Sequence, residues 1–416
     1  MNLNCHEMEE PSQRKRCSKM NYGKNKRKKI REIESFGESQ DEDESTGLDE
    51  LFSNEISYYK PTDQNKINQI INQQNEYFWQ TITIIDFEKY YLQHIEQPQV
   101  ELVLSKCGKY LKELRLGSVC DSSILPVIKK YCHKLVTLNI EIEFKDQNHF
   151  IDFCINMRRL KNFKFYTSFW FQIKRTDTAG FVINSIPKKH KILSIDFSHC
   201  IFNTNIKSIT NFEKLKFLNI AYVDAVDDWI LGRLSKNSIE IIDLNVEGCK
   251  RITNVGLQFL TSMKKLEKLN ISFNNNITDE LFSKFNSLKN LSCGCCKNIR
   301  NDGIANLLTN LLPLGFNYLE IYQTSVDVIL LIYAYQLIVN INPNCLLNVV
   351  ASGSLSKGYY EAIEKEPIKT DNLDIQWTNL LTDYSNENCI EFSENHGKNV
   401  KVRKLQNEYQ HVDIMD

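Results

Sequence analysis

A chain of 416 residues, 42% hydrophobic and 25% charged, carries enough apolar material for a large core. Its formal charge of −1 excludes a global field that would draw it to nucleic acid or to an anionic membrane. The longest apolar run, Val328–Tyr335 with Gln336 interrupting before Leu337, is too short to span a bilayer, and no apolar signal segment follows Met1. The expectation is a cytoplasmic or nuclear chain whose cysteines are reduced.

Residues 1–46 have the composition of a disordered charged arm. Lys15-Arg16 precedes Lys24, Lys26, Arg27, Lys28 and Lys29, and the acidic run Glu38–Glu44 follows. Blocks of opposite charge with so little apolar content cannot offset the entropy of ordering. The basic clusters read as a nuclear-import signal or anion-binding tail, or as a solvated end without a receptor.

Residues 47–79 are expected to form a small helical block. Apolar positions at Phe52, Ile56, Tyr59, Ile67 and Ile70 are broken by Lys60-Pro61-Thr62-Asp63, a stop and a fresh cap between two short helices. Such a block is either a docking surface or a cover over the open end of the region beginning after Trp79.

From 80 to 351 the chain repeats. The clearest copy runs through Ile241, Leu244 and Val246 on a strand, then Cys249 and Ile252, then Gly256, Leu257 and Leu260 on helical spacing. The next has Leu266, Leu269, Ile271, Asn274 and Ile277, and a third has Leu288, Leu291, Cys293, Cys296 and Ile299. Strands are expected at Ile82–Phe87, Leu111–Leu116, Leu135–Ile140, Leu160–Phe165, Ile192–Phe197, Leu215–Ile220 and Phe316–Ile321, with a poorer fit at Leu346–Ala351. A step of about 26 residues built on L-x-x-L-x-L-x-x-[C/N] is the mark of a leucine-rich repeat. The predicted fold is therefore an α/β solenoid, curved, with parallel strands inside and helices outside. Cys200, Cys249 and Cys296 share one repeat position with Asn274 and form a predicted buried column.

Residues between the strand apolar positions should face outward on the inner surface. They include Asp196, Phe217, Asn219, Asp243, Asn245, Asn270, Tyr318, Glu320 and Tyr322. The step from Leu160 to Ile192 is long, and its surplus carries Phe169, Trp170 and Phe171. Insertions in solenoids map to one rim, so these three with Tyr166 and Phe217 are the candidate partner-binding residues. A short extra rim strand would use the same aromatics without a partner. After Ala351 the pattern stops, and 352–416 are expected to be a C-terminal cap or tail.

No catalytic constellation is present. Phosphate-loop, dinucleotide, zinc-protease and nucleophile-elbow motifs are missing, and the eight histidines are scattered. His199 precedes Cys200, but Cys200 already belongs to the buried column. Cys293 and Cys296 form a single C-x-x-C whose members also have core positions, so no metal site is expected. The reading is a non-enzyme without cofactors.

A short helical block before Cys-containing repeats resembles the F-box/leucine-rich-repeat family. Asp49-Glu50 stand at that family's L-P-x-E opening, Ile56-Ser57-Tyr58-Tyr59 at its I-F-x-x-L segment, and Asp63 at its second-helix cap. Gly47-Leu48 replace Leu-Pro, and Ile71 and Gln74 replace the usual Cys and Trp, so the motif is degenerate. The resemblance implies the substrate-recognition subunit of an SCF-type ubiquitin ligase. Phe52, Ile56, Tyr59, Ile67 and Ile70 would bind a Skp-type adaptor and its cullin complex, while the repeats hold a protein substrate. The competing reading is a repeat scaffold or inhibitor whose N-terminal block is only a cap.

Overall fold

The computed structural model describes residues 58–60, 64–87, 95–117, 120–141, 147–166, 178–186, 188–202, 206–341, 343–364, 366, 370–378 and 393–394. The charged arm, Phe52, Ile56 and the insertion with Phe169, Trp170 and Phe171 lie outside them.

The fold is a leucine-rich-repeat solenoid, and the described strands form a single sheet. Its strands follow chain order: β1 (Tyr58–Tyr59), β2 (Ile84–Phe87), β3 (Glu113–Leu116), β4 (Thr137–Glu141), β5 (Asn162–Tyr166), β6 (Ser194–Asp196), β7 (Phe217–Asn219), β8 (Asp243–Asn245), β9 (Lys268–Asn270), β10 (Asn290–Ser292), β11 (Tyr318–Glu320), β12 (Leu347–Ser352), β13 (Leu373–Thr378) and β14 (Ser393–Glu394). From β1 to β13 every neighbouring pair is parallel, and only β14 runs antiparallel. Alternation explains the strand faces. Leu218, Leu244, Leu269, Leu291 and Leu319 are buried and stack in register, while their neighbours face solvent. Ile241 and Leu266 precede the hydrogen-bonded strands yet are fully buried, so the ladder is shorter than the apolar motif.

The Cys/Asn column has a physical reason. The Cys200 thiol donates to the Phe165 carbonyl (3.4 Å), Cys249 to Ile220 (3.2 Å) and Cys296 to Ile271 (3.2 Å). The Asn274 amide donates to Val246 at 2.8 Å. Each side chain therefore satisfies a strand-end carbonyl of the preceding repeat, a hydrogen-bonding role beyond the apolar one expected for the thiols.

The recurrent Ile-Thr-Asn and Ile-Thr-Asp are also explained. The Asp228 carboxylate accepts the Thr253 and Gly256 N–H groups (2.8 and 3.0 Å), and Asp279 accepts that of Gly303 (2.8 Å). Asn254 accepts the Thr278 N–H, and Asn301 accepts that of Asp327. Each repeat thus caps the helical turn of the next, satisfying donors that a helix start leaves open.

Two boundaries differ from the sequence expectation. Tyr58–Tyr59, expected in a helix, is a strand parallel to β2, and the helix Gln64–Asn72 follows it. Ile67 and Ile70 are only 1% and 3% exposed, packed into the continuous core rather than presented as an apolar face. The described part of the N-terminal block is therefore built into the solenoid, because an uncovered first repeat would expose its core. At the other end the sheet continues past Ala351. Strand β13 pairs with β12 along six residues, and Trp377 is buried with its Nε1 donating to the Tyr360 hydroxyl (3.1 Å). The apolar run at Val328 is the helix Val328–Asn340, which buries Leu330, Leu331, Leu337 and Ile338. Among the described residues no helix is long and apolar enough to cross a membrane.

Candidate interaction site on the strand face

Just past each strand the chain makes one sharp turn. His199, Tyr222, Gly248, Phe273, Cys295 and Gln323 occupy the same repeat position with φ between 52° and 66°. This left-handed conformation costs a non-glycine residue about 1–2 kcal/mol. The turn is held by the sheet: the Tyr222 N–H donates to the Glu247 carbonyl (2.7 Å), Gly248 to Ser272 (2.8 Å) and Phe273 to Gly294 (2.9 Å). The side chain before each turn helps. Asp196, Asn219, Asn245 and Asn270 each accept the backbone N–H two residues on. These four were expected to face outward on the strand surface, and their side-chain oxygens also shape the turns.

The turns project aromatic and acidic groups onto one patch. The Tyr222 ring stacks on His199 at 4.6 Å and lies 6.1 Å from Phe273. It passes so close over Gly248 that an added Cβ there would sit 2.5 Å from the ring. Tyr322 lies in the same way over Gly294, again 2.5 Å from a would-be Cβ. Cys295, Tyr322 and Val350 form a small buried cluster against which Phe273 and Tyr318 pack.

Two carboxylates stand among these rings. Glu247 accepts from the Tyr222 hydroxyl at 2.7 Å and the Asn270 amide at 2.9 Å. Glu320 accepts from the Tyr318 hydroxyl at 3.2 Å. Burial pushes the Glu247 pKa up, the two hydrogen bonds pull it down, and the charge of Glu320 adds a further upward push. Burial, with Glu320 and Glu247 nearby, also pushes the Tyr322 hydroxyl far above the tyrosine range. Burial keeps His199 below its ordinary value, against the opposing pull of Asp196.

A second charged group sits at the first repeats. Buried Asp86 accepts from the Tyr58 hydroxyl (2.9 Å) and faces Lys60 (3.5 Å) and Arg115 (3.4 Å). Burial first, then the Asp86 bond, pushes the Tyr58 pKa up to about 12. These charges are matched within the chain, so the group closes the end of the sheet.

Of the residues singled out from sequence, Phe217 is 46% exposed on β7. Tyr166 ends β5, paired by register with Glu141. Phe217 and Tyr166 are two strands apart, as the repeat register expects. Tyr59 is half-buried in β1, and Ile67 and Ile70 are core. Tyr318, Glu320 and Tyr322 were placed outward; Tyr322 is in fact buried beneath the patch. Glu247, Ser272 and Phe273 were missed because they lie beyond the alternating strand. A signal was present: Tyr222 and Phe273 both stand two residues past the last strand apolar position, and Tyr322 directly follows Ile321.

No protein-family model matches the chain. One chain of the crystal structure of the Rad7 and Elc1 complex in yeast is 16% identical, with a TM-score of 0.52, covering 75% of this chain and 86% of that one. An internalin from Listeria monocytogenes is also 16% identical, with a TM-score of 0.34, covering 50% of this chain and 61% of its own. The repeat register, the one-strand-per-repeat parallel sheet and the likeness to the former together make this chain an α/β leucine-rich-repeat solenoid.

Proposed function

We propose that this chain is a non-catalytic protein-recognition subunit whose strand-end patch around Phe273, Tyr318 and Glu320 holds a protein partner. The observation carrying this reading is the patch itself. Rings and carboxylates are held half-exposed on a rigid sheet, an arrangement suited to anchor residues of an interface. A photo-cross-linking residue at Tyr318 should capture a protein in cells, whereas one at the exposed helix-face residue Trp229 should not. Capture from Trp229 alone would move the interface to the other face.

In its finer form the proposal is the substrate-recognition subunit of an SCF-type ubiquitin ligase. Two things support it: the resemblance over residues 47–79, and the fact that a protein of similar fold crystallised in a two-protein complex. Phe52 and Ile56 are the adaptor-binding residues to test, since Tyr59, Ile67 and Ile70 serve the solenoid. Purified chain should bind a Skp-type adaptor, and Phe52→Lys with Ile56→Lys should abolish binding while the melting temperature holds. The burial of Ile67 and Ile70 favours the second reading, a scaffold or inhibitor with an N-terminal cap. That reading takes over if the wild-type chain binds no adaptor.

A further inference from the structure

The outward row past the strands runs Glu247, Ser272, Gly294, Tyr322, one residue per repeat, following the register of Asn245, Asn270, Ser292 and Glu320. Ser272 lies between the acid and the buried tyrosine. It is 2% exposed, and among the described residues its Oγ has no hydrogen-bond partner. A buried hydroxyl left unpaired is costly, so this position calls for a partner that the described chain does not supply.

The groups around that hydroxyl specify the ligand. Glu247 and Glu320 are both half-buried, and among the described residues neither stands within ion-pair distance of a lysine or arginine. The donors they do have, Tyr222, Asn270 and Tyr318, are neutral and leave acceptor sites on both carboxylates open. Elsewhere on the same face acids are matched: Asp86 with Arg115, Asp196 with Lys164, Asp243 with Lys268. The acids of the patch lack such a cation, and they stand beside the half-exposed rings of Tyr222, Phe273 and Tyr318. Carboxylates beside aromatic faces favour a planar cation, because guanidinium stacks on a ring while its N–H groups reach acids on both sides. Ammonium is a compact, strongly hydrated charge and exploits such walls less well.

We infer that the patch binds an arginine side chain of the protein partner, with its guanidinium between Glu247 and Glu320, against Phe273 and Tyr318, and an N–H directed to Ser272 Oγ. This rests on the reading of the strand face as the partner surface and adds the residue that it selects. Gly248 and Gly294 are required because any side chain there would push Tyr222 or Tyr322 off the backbone and close the site.

The test uses the full chain and a fluorescein-labelled glycine–serine peptide with one central arginine, read by fluorescence anisotropy. Matched peptides carry lysine or the neutral isostere citrulline. The arginine peptide should bind about tenfold or more tighter than the citrulline peptide. Glu320→Gln should remove most of that difference with an unchanged melting temperature, and Phe273→Ala should remove it with a modest loss of stability from its packing against the Tyr322 cluster. Ser272→Ala should weaken arginine binding by about threefold or more while leaving the free protein as stable as before, because no intramolecular bond is lost. Equal binding of arginine and citrulline peptides, or no saturable binding of either, overturns the inference. Binding that emerges only after Arg14, Arg16, Arg27 and Arg31 are changed to Gln assigns the patch to the chain's own basic arm and overturns it too. Cross-linking from Tyr318 separates the two levels. If capture persists while the peptides bind alike, the arginine inference fails and partner recognition stands; if capture also fails, both fall.

Discussion

Cys249→Asp should lower stability by about 3–5 kcal/mol at neutral pH, the scale of an uncompensated buried charge. Cys249 is fully buried, and its thiol donates to the Ile220 carbonyl at 3.2 Å. A carboxylate there sets acceptor against acceptor in an apolar column. Burial already pushes the thiol itself up to about 12, so the site resists negative charge. The aspartate pKa would be raised in the fold by the same burial, so its folded form binds the extra proton. Lost stability should then return in part as pH falls below the folded-state pKa and grow as pH rises through it. Cys249→Asn should be far milder, because Asn274 performs the same task one repeat later, donating to Val246 at 2.8 Å. Thermal melts of the three proteins at neutral and mildly acidic pH decide the matter. An aspartate variant as stable as wild type would show that the column is not where the register puts it.

Phe197→Ala is expected to cost about 3–5 kcal/mol, the range for a buried Phe truncated to Ala. The ring is fully buried and meets Phe163, Phe165 and Phe202 at 6.1, 6.1 and 5.7 Å, all near edge-to-face. Phe163 and Phe165 come from β5 and Phe197 and Phe202 from the segment just past β6, so the rings join adjacent repeats. In a solenoid each repeat is held by its neighbours, and a weak junction uncouples the two sides. The variant should therefore lose the single unfolding transition as well as stability. Hydrogen exchange should show the repeats before β6 opening at lower free energy than those after it. A uniform loss of protection would show that coupling does not pass through these rings.

Much of the fold was legible because the repeat writes the same physics many times. Strand alternation at Leu244, Leu269 and Leu291, the Cys/Asn column and the Ile-Thr-Asn and Ile-Thr-Asp segments each recur at one step, and each satisfies a core or backbone requirement in every copy. The ends were less legible. The first strand has only Tyr58–Tyr59 and no motif of its own, and it is a strand because β2 offers an edge to pair. The same holds at the other end, where Leu373, Ile375 and Trp377 alternate but β12 supplies the template. The way Glu247, Ser272, Phe273 and Tyr322 come together was not legible for a different reason. Their meaning comes from neighbours one to three repeats away. Tyr322 lies flat because Gly294, in the preceding repeat, has no side chain. Glu247 is held by Tyr222 from the repeat before and Asn270 from the repeat after. The amino-acid sequence by itself determined the period and the buried stripe, because those depend on residues within one repeat length. Only the tertiary structure decided which ends the sheet recruits and which side chains meet on its open face, because stacking sets those distances.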